Sequence, residues 1–131
     1  MKNNFFPSHY MVCELRGPIQ YASRSYATEE LKGLALDYAV AQSIYENVNI
    51  RVLFLPGGRW ERVIIDDGQE TIDPWSVTKN PELAKRVITT FHPMKPDVSE
   101  IKVQNINKML IDIVAVSFGE AIDLPIQIQK K

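Results

Sequence analysis

The chain has one cysteine, almost no net charge and no long hydrophobic run, and each of these absences excludes a class of protein. Cys13 alone cannot build an internal disulfide framework, so packing must hold the fold together. A net charge of −1 does not favour nucleic acid or an anionic membrane as partners. No apolar run reaches membrane-spanning length, and residues 1–10 lack the apolar core of a signal peptide. We therefore expect a cytoplasmic protein.

The short motifs of common chemistries are also missing. The sequence has no Walker A loop, no dinucleotide-binding glycine pattern, no HExxH, no paired CxxC and no nucleophile elbow. His9 and His92 lie far apart, and neither has an acid or a cysteine at ligand spacing. These patterns predict no catalytic residue, no metal site and no cofactor.

A length of 131 residues suits one domain with a sizeable core. Residues 28–44 and 103–118 are strongly helical and too apolar for ordinary surface helices. Thr28 is the predicted N-cap of the first helix. Gly33 would cost that helix about 1 kcal/mol relative to alanine, so we predict a close backbone approach there. Gly119 predicts the end of the last helix.

A shorter helix is predicted where Asn80, Pro81 and Glu82 supply a cap, a first-turn proline and an acid. It is expected to continue to Ile88, with an extended piece over 89–91. Further extended segments are predicted at residues 9–15 and 122–128. Residues 19–27 are interpreted as a connection and residues 69–80 as a polar loop.

The clearest hairpin runs from Asn49 to Ile65, because Gly57-Gly58 separates two β-rich runs. A two-residue loop at these glycines places Leu53 opposite Arg62, Val52 opposite Val63 and Leu55 opposite Trp60. In this register one face of the hairpin is apolar, and the other carries Arg51, Leu53, Leu55, Trp60, Arg62 and Ile64. The pattern predicts an α+β domain, a small three-layer α-β-α sandwich with a largely antiparallel sheet.

Three segments resemble one family. ELKGLALDYAVA (30–41), WSVTKNPELAKRVI (75–88) and KMLIDIVAVSFGEAIDLP (108–125) occur in the order of the opening helix, the loop with its short helix, and the closing helix of the phage ABA-sandwich domain family. Together they span roughly residues 28–125. The resemblance implies a phage or prophage protein with an α-β-α layered fold and implies no reaction. Residues 1–27 are an N-terminal extension that the family lacks, within a single domain over residues 1–131.

The chain departs from the family pattern at two points. The family loop reads P-S-T-D, whereas this chain has Ser76-Val77-Thr78-Lys79, so a lysine stands where the family has an acid. The aromatic residue of the closing helix is replaced by Ile113 or by a neighbouring residue.

Two groups of residues are the binding candidates. Arg51, Trp60 and Arg62 combine residue types that are enriched at interface hot spots, unless a second helical layer covers their face. Asp73-Pro74-Trp75, with Lys79 close by, places a large aromatic residue beside a proline in a long loop. The equal alternative is that the Trp75 ring packs back on the core.

The acidic residues are open to two interpretations. Asp66, Asp67, Glu70 and Asp73 are interpreted as a solvated turn rather than a cation site or a carboxylate pair, because Asp-Gly is a turn sequence. Asp37 lies in a nearly apolar helix, where a buried ion pair with Arg59 or Arg62 competes with simple exposure.

The functional prediction is a phage accessory protein that binds a host protein and inhibits or modulates a host machine such as an immune effector. The alternative is a small enzyme or nucleotide-binding protein that uses the acidic loop and the hairpin arginines. Nucleic acid is the least expected partner, although Lys79, Lys85 and Arg86 form a local basic group. A homo-oligomer stays open.

Overall fold

The computed structural model describes residues 19–55 and 59–129. It contains three α-helices and five strands, and all strand pairs are antiparallel, so the predicted α+β class is confirmed. The predicted strand at residues 9–15, Cys13 and the turn at Gly57-Gly58 lie outside the described residues. The elements in chain order are β1 (Ile19–Ala27), α1 (Gly33–Ile44), β2 (Asn49–Leu55), β3 (Arg59–Asp66), β4 (Thr71–Trp75), α2 (Pro81–Phe91), α3 (Ile106–Phe118) and β5 (Ala121–Gln129).

The described strands form two sheets. β2, β3 and β4 pair in sequence order, as expected for consecutive antiparallel strands. β1 pairs with β5 along its whole length, from Ile19 opposite Gln129 to Ala27 opposite Ala121. The interpretation of residues 19–27 as a connection was therefore wrong, because this polar segment becomes a strand only by pairing with a segment about a hundred residues later. The extended prediction for 122–128 is confirmed.

The core is built around α1. Leu36, Tyr38, Val40 and Ala41 are fully buried, which leaves this helix almost no solvated side. α1 packs against β2 and β3 on one side and against α3 on another, while α2 packs against α3. This placement between layers explains the wide apolar arc seen in the sequence.

The start of α1 differs from the prediction. Thr28 is not its N-cap: residues Thr28–Glu30 form a separate 3-10 turn, and the Thr28 hydroxyl donates to the Gly119 carbonyl at 2.7 Å. Gly33 begins the helix with a φ of +58°, and a Cβ placed there meets nothing within 4 Å. The predicted close backbone approach was therefore wrong. Glycine suits this position because side-chain-bearing L-residues rarely adopt that φ.

The other two helices begin within a few residues of the prediction. Asn80 caps α2 by accepting from the Leu83 amide at 3.2 Å. The helix runs on to Phe91, so the extended piece predicted for 89–91 was wrong. A 3-10 turn over Val103–Asn105 precedes α3, and Gly119 follows its end with a φ of +77°. Within the described ranges, no helix is both long and apolar enough to cross a membrane.

Candidate functional site

The Trp75 side chain is part of the core. Trp75 is the last residue of β4, and only 1% of its surface is exposed. The prediction of a polar loop was therefore wrong for residues 71–75. The Trp75 Nε1 donates to the Asp37 carbonyl at 2.8 Å, and its ring meets Tyr45 edge-on at 5.5 Å between centroids. Of the two placements that the sequence left open, the structure shows the ring packed inward, where a partner cannot reach it.

Trp60 lies on the core face of the hairpin. The pairs Val52–Val63 and Leu53–Arg62 are as predicted, but the register then shifts, and Trp60 stands opposite Phe54 instead of Leu55. A bulge adds one residue to a strand, and every side chain beyond it changes face. Trp60 consequently meets Tyr38 edge-on at 5.8 Å and Phe54 at 6.0 Å. The prediction that Trp60 shares a face with Arg51 and Arg62 was wrong.

Arg62 is held by acidic neighbours. Its Nε donates to Asp73 Oδ1 at 2.6 Å, and Nη1 lies 3.1 Å from Glu61 Oε1. The hydrogen bond to Asp73 is the largest of the effects that raise the pKa of Arg62. Arg62 and Asp73, from the two predicted groups, are thus brought together as a surface ion pair across β3 and β4. An exposed ion pair of this kind joins the two strands but contributes little to stability.

The remaining predicted residues, Arg51 and Lys79, do not join this pair. Arg51 is half-buried, and its Nε is shielded from solvent with no hydrogen-bond partner among the described residues. Lys79 is exposed on the segment before α2. The six predicted residues therefore do not form one surface. The Trp75 ring is buried and the half-buried Trp60 ring packs against the core. Arg62 and Asp73 form an ion pair, and Arg51 and Lys79 stand apart.

The acidic segment after β3 has the geometry of a turn. Asp66 Oδ1 accepts from the Gly68 amide at 2.9 Å, and Asp67 Oδ1 accepts from the amides of Gln69 and Glu70. The two amides that bond Asp67 lower the pKa of its carboxyl group. Carboxylates that bind their own backbone in this way shape the chain locally. No cluster of three metal-ligating side chains occurs in residues 19–55 and 59–129.

Asp37 is the described acid whose setting is least ordinary. It is fully buried in α1, and Oδ1 accepts from the Thr78 amide at 2.8 Å, whereas Oδ2 has no hydrogen-bond partner among the described residues. Burial raises its pKa to about 6, although the Thr78 amide and hydroxyl, the Val77 amide and the Lys79 charge oppose that rise. Neither predicted alternative holds: Asp37 is not exposed, and it bonds a backbone amide instead of an arginine.

Residues 91–98, called the 91–98 segment below, carry three of the five large apolar side chains that are exposed among the described residues. The sequence analysis did not predict their exposure. Phe91 is 43% exposed, Met94 79% and Val98 54%. Their signal in the sequence is a phenylalanine, a methionine and a valine spread around two prolines, where no helical or alternating pattern can bury them together. Contiguous exposed apolar surface marks candidate interaction sites, and these three side chains lie within one short stretch of the chain.

The backbone of the 91–98 segment is held in place from within. His92 is 5% exposed, its Nδ1 accepts from the Met94 amide at 3.1 Å, and its Nε2 lies 3.0 Å from Asp112 Oδ2 on α3. Because Nδ1 accepts, Nε2 is the nitrogen that carries the proton and donates to Asp112. The Lys95 amide also bonds the His92 carbonyl at 3.0 Å. His92, which the sequence offered only as an isolated histidine, therefore positions this segment.

Comparisons with protein family models, with curated proteins and with the solved structures find no match to this chain.

Proposed function

We propose that this chain is a cytoplasmic protein-binding module, encoded by a phage or prophage, which binds a host protein and inhibits or modulates a host machine such as an immune effector. The phage origin is supported by the resemblance of residues 28–125 to the phage ABA-sandwich family. The binding role is supported by one structural observation, the 91–98 segment, which presents apolar side chains on a backbone that is already ordered.

Order before binding matters for affinity. A partner that docks on a mobile loop must offset the entropy of ordering it, whereas a loop fixed beforehand keeps more of the contact free energy. Here the buried His92 ring binds the Met94 backbone and α3 at once. Met94 can therefore act as an exposed anchor whose position is set by the core, and its flexible thioether suits an irregular partner surface.

The alternative function, a small enzyme or nucleotide-binding protein, has less support. It relied on the acidic loop and the hairpin arginines. Asp66 and Asp67 are engaged in turn hydrogen bonds, and Arg62 is engaged with Asp73. A ligand that used these groups would have to compete with partners that they already have.

The test is capture of a host protein on the immobilised chain, with Met94→Asp as the disrupting variant. If Met94 is an interface anchor, its replacement by a charge should weaken binding by about thirtyfold or more, since anchors contribute about 2 kcal/mol. Val103→Asp is the matched control, because Val103 is 67% exposed and lies outside the 91–98 segment. Both variants should melt like the wild-type protein.

The proposal fails if no host protein is retained, or if Met94→Asp retains it as well as Val103→Asp does. A thermal-shift screen with nucleotides and divalent cations belongs beside the capture experiment. A large shift with one of these ligands, and no retained protein, would support the enzyme alternative instead.

A further inference from the structure

A cavity of about 560 Å³ lies between α3 and the 3-10 turn that follows β1. This volume falls within the range of about 300 to 1,000 Å³ that is typical of ligand sites. Small or aliphatic residues and two acids line it, namely Ala27, Glu29, Ile111, Ala115, Gly119 and Glu120.

Two hydrogen bonds join the walls of the cavity. The Thr28 hydroxyl and amide donate to the carbonyls of Gly119 and Glu120 at 2.7 Å and 2.8 Å. The Gly119 amide in turn donates to the Ala115 carbonyl at 2.7 Å. The two Thr28 bonds join the 3-10 turn to the end of α3, and this fixes the two walls relative to each other.

The charged residues that line the cavity are both acidic. Glu29 and Glu120 are both exposed, and neither makes an ion pair with another described residue. No lysine, arginine or histidine is among the described residues that line the cavity. A ligand with a positive charge for the glutamates and an aliphatic portion for Ile111 and Ala115 complements this lining.

We propose that this cavity receives the side chain of a lysine or arginine residue from a partner protein. A lysine or arginine side chain complements this lining because an aliphatic stem carries its positive charge. The inference rests on the proposed protein-binding function, but the cavity shares no residue with the 91–98 segment.

The experiment titrates isotopically labelled protein with a blocked tripeptide that has lysine at its centre. The amide resonances of Ala115 and Gly119 should move in a saturable way. A tripeptide with norleucine in place of lysine keeps the aliphatic chain without the charge and should give no such shift. Because exposed ion pairs are screened by salt, the lysine tripeptide should bind less tightly as ionic strength rises.

Two variants locate the site. Glu29→Gln combined with Glu120→Gln should weaken the lysine tripeptide by about tenfold, since each exposed ion pair changes affinity by about fivefold at most. Glu70→Gln combined with Glu82→Gln removes the same charge elsewhere and should change little. Ala115→Leu fills the cavity from an exposed helix position and should abolish the shifts while the protein stays folded.

The inference is overturned if the lysine tripeptide causes no saturable shift, or if the norleucine tripeptide binds equally well. Equal affinity for n-butylammonium would also overturn it, because a free amine would then suffice. These outcomes leave the Met94→Asp experiment unaffected, so failure of the cavity proposal and failure of the proposed function can be told apart.

Discussion

Asp37 provides the sharpest test of the structure, because its burial makes the stability of the fold depend on pH in an unusual direction. The folded protein holds the pKa of Asp37 at about 6, against 3.8 for the unperturbed group. A group with a raised folded pKa binds its proton more tightly in the folded state. Its stabilising contribution is complete below about pH 4 and is lost as the pH rises through about 6.

The size of the effect follows from this difference in pKa. Each pKa unit corresponds to about 1.4 kcal/mol, so the ionised carboxylate lowers the free energy of unfolding by about 3 kcal/mol well above pH 6. Asp37→Asn removes the ionisation and keeps an oxygen that can accept from the Thr78 amide. Between about pH 4.5 and about pH 7.5, the stability of Asp37→Asn relative to wild type should rise by about 2 kcal/mol.

The assay is urea unfolding of both proteins at the two pH values, and the quantity compared is the change in their difference. This comparison cancels the titration of every other group and any pH-independent cost of the new amide. Asp123→Asn, an exposed acid on β5, is the matched control and should show no such change. If the Asp37→Asn difference is the same at both pH values, the carboxylate is not desolvated as described and the reasoning is refuted.

Substitutions at Trp75 and Gly33 test the core and the start of α1. Trp75→Ala removes a large buried ring, so it should lower the free energy of unfolding in urea melts by about 3–5 kcal/mol. A near wild-type midpoint would mean that the ring is not packed inward. Trp75→Phe keeps most of the packing and loses the bond to the Asp37 carbonyl, so its loss should be smaller, about 1–3 kcal/mol. Gly33→Ala should destabilise by about 1 kcal/mol despite better helix propensity, and Gly33→Asn should cost less than Gly33→Val because asparagine tolerates positive φ. Equal losses for asparagine and valine in the same melts would show that φ is not the cause.

Sequence patterns predicted correctly the features that depend on residues close together in the chain. The cap at Asn80 and the glycine after α3 are each determined within a few residues, and both are confirmed. The hairpin pairs Val52–Val63 and Leu53–Arg62 are confirmed as well. The helical pattern of α1 and α3 was likewise readable from periodicity, although both α-helices begin a few residues later than predicted. The α+β class followed from these elements.

The exposure of the candidate binding residues could not be predicted in the same way. A bulge that adds one residue to a strand changes the face that each later side chain occupies. Composition places Trp60 in a β-strand, but the shift after Leu53 moves it from the arginine face to the core. The burial of Trp75 could not be predicted either. A tryptophan beside a proline in a polar stretch is as compatible with a solvent-facing loop as with a ring packed on the core. In its buried position its Nε1 donates to the Asp37 carbonyl, which lies thirty-eight residues earlier in the chain.

The sequence by itself determined the helices, the hairpin and the near-neutral surface, because propensity, capping and charge act over short distances. Only the tertiary structure decided the pairing of β1 with β5, the burial of Asp37 and the exposure of Met94. It also decided that Glu29 and Glu120 line one cavity. Each of these depends on segments that are distant in the chain, and the free energy of bringing them together comes from packing and desolvation, which no local pattern records.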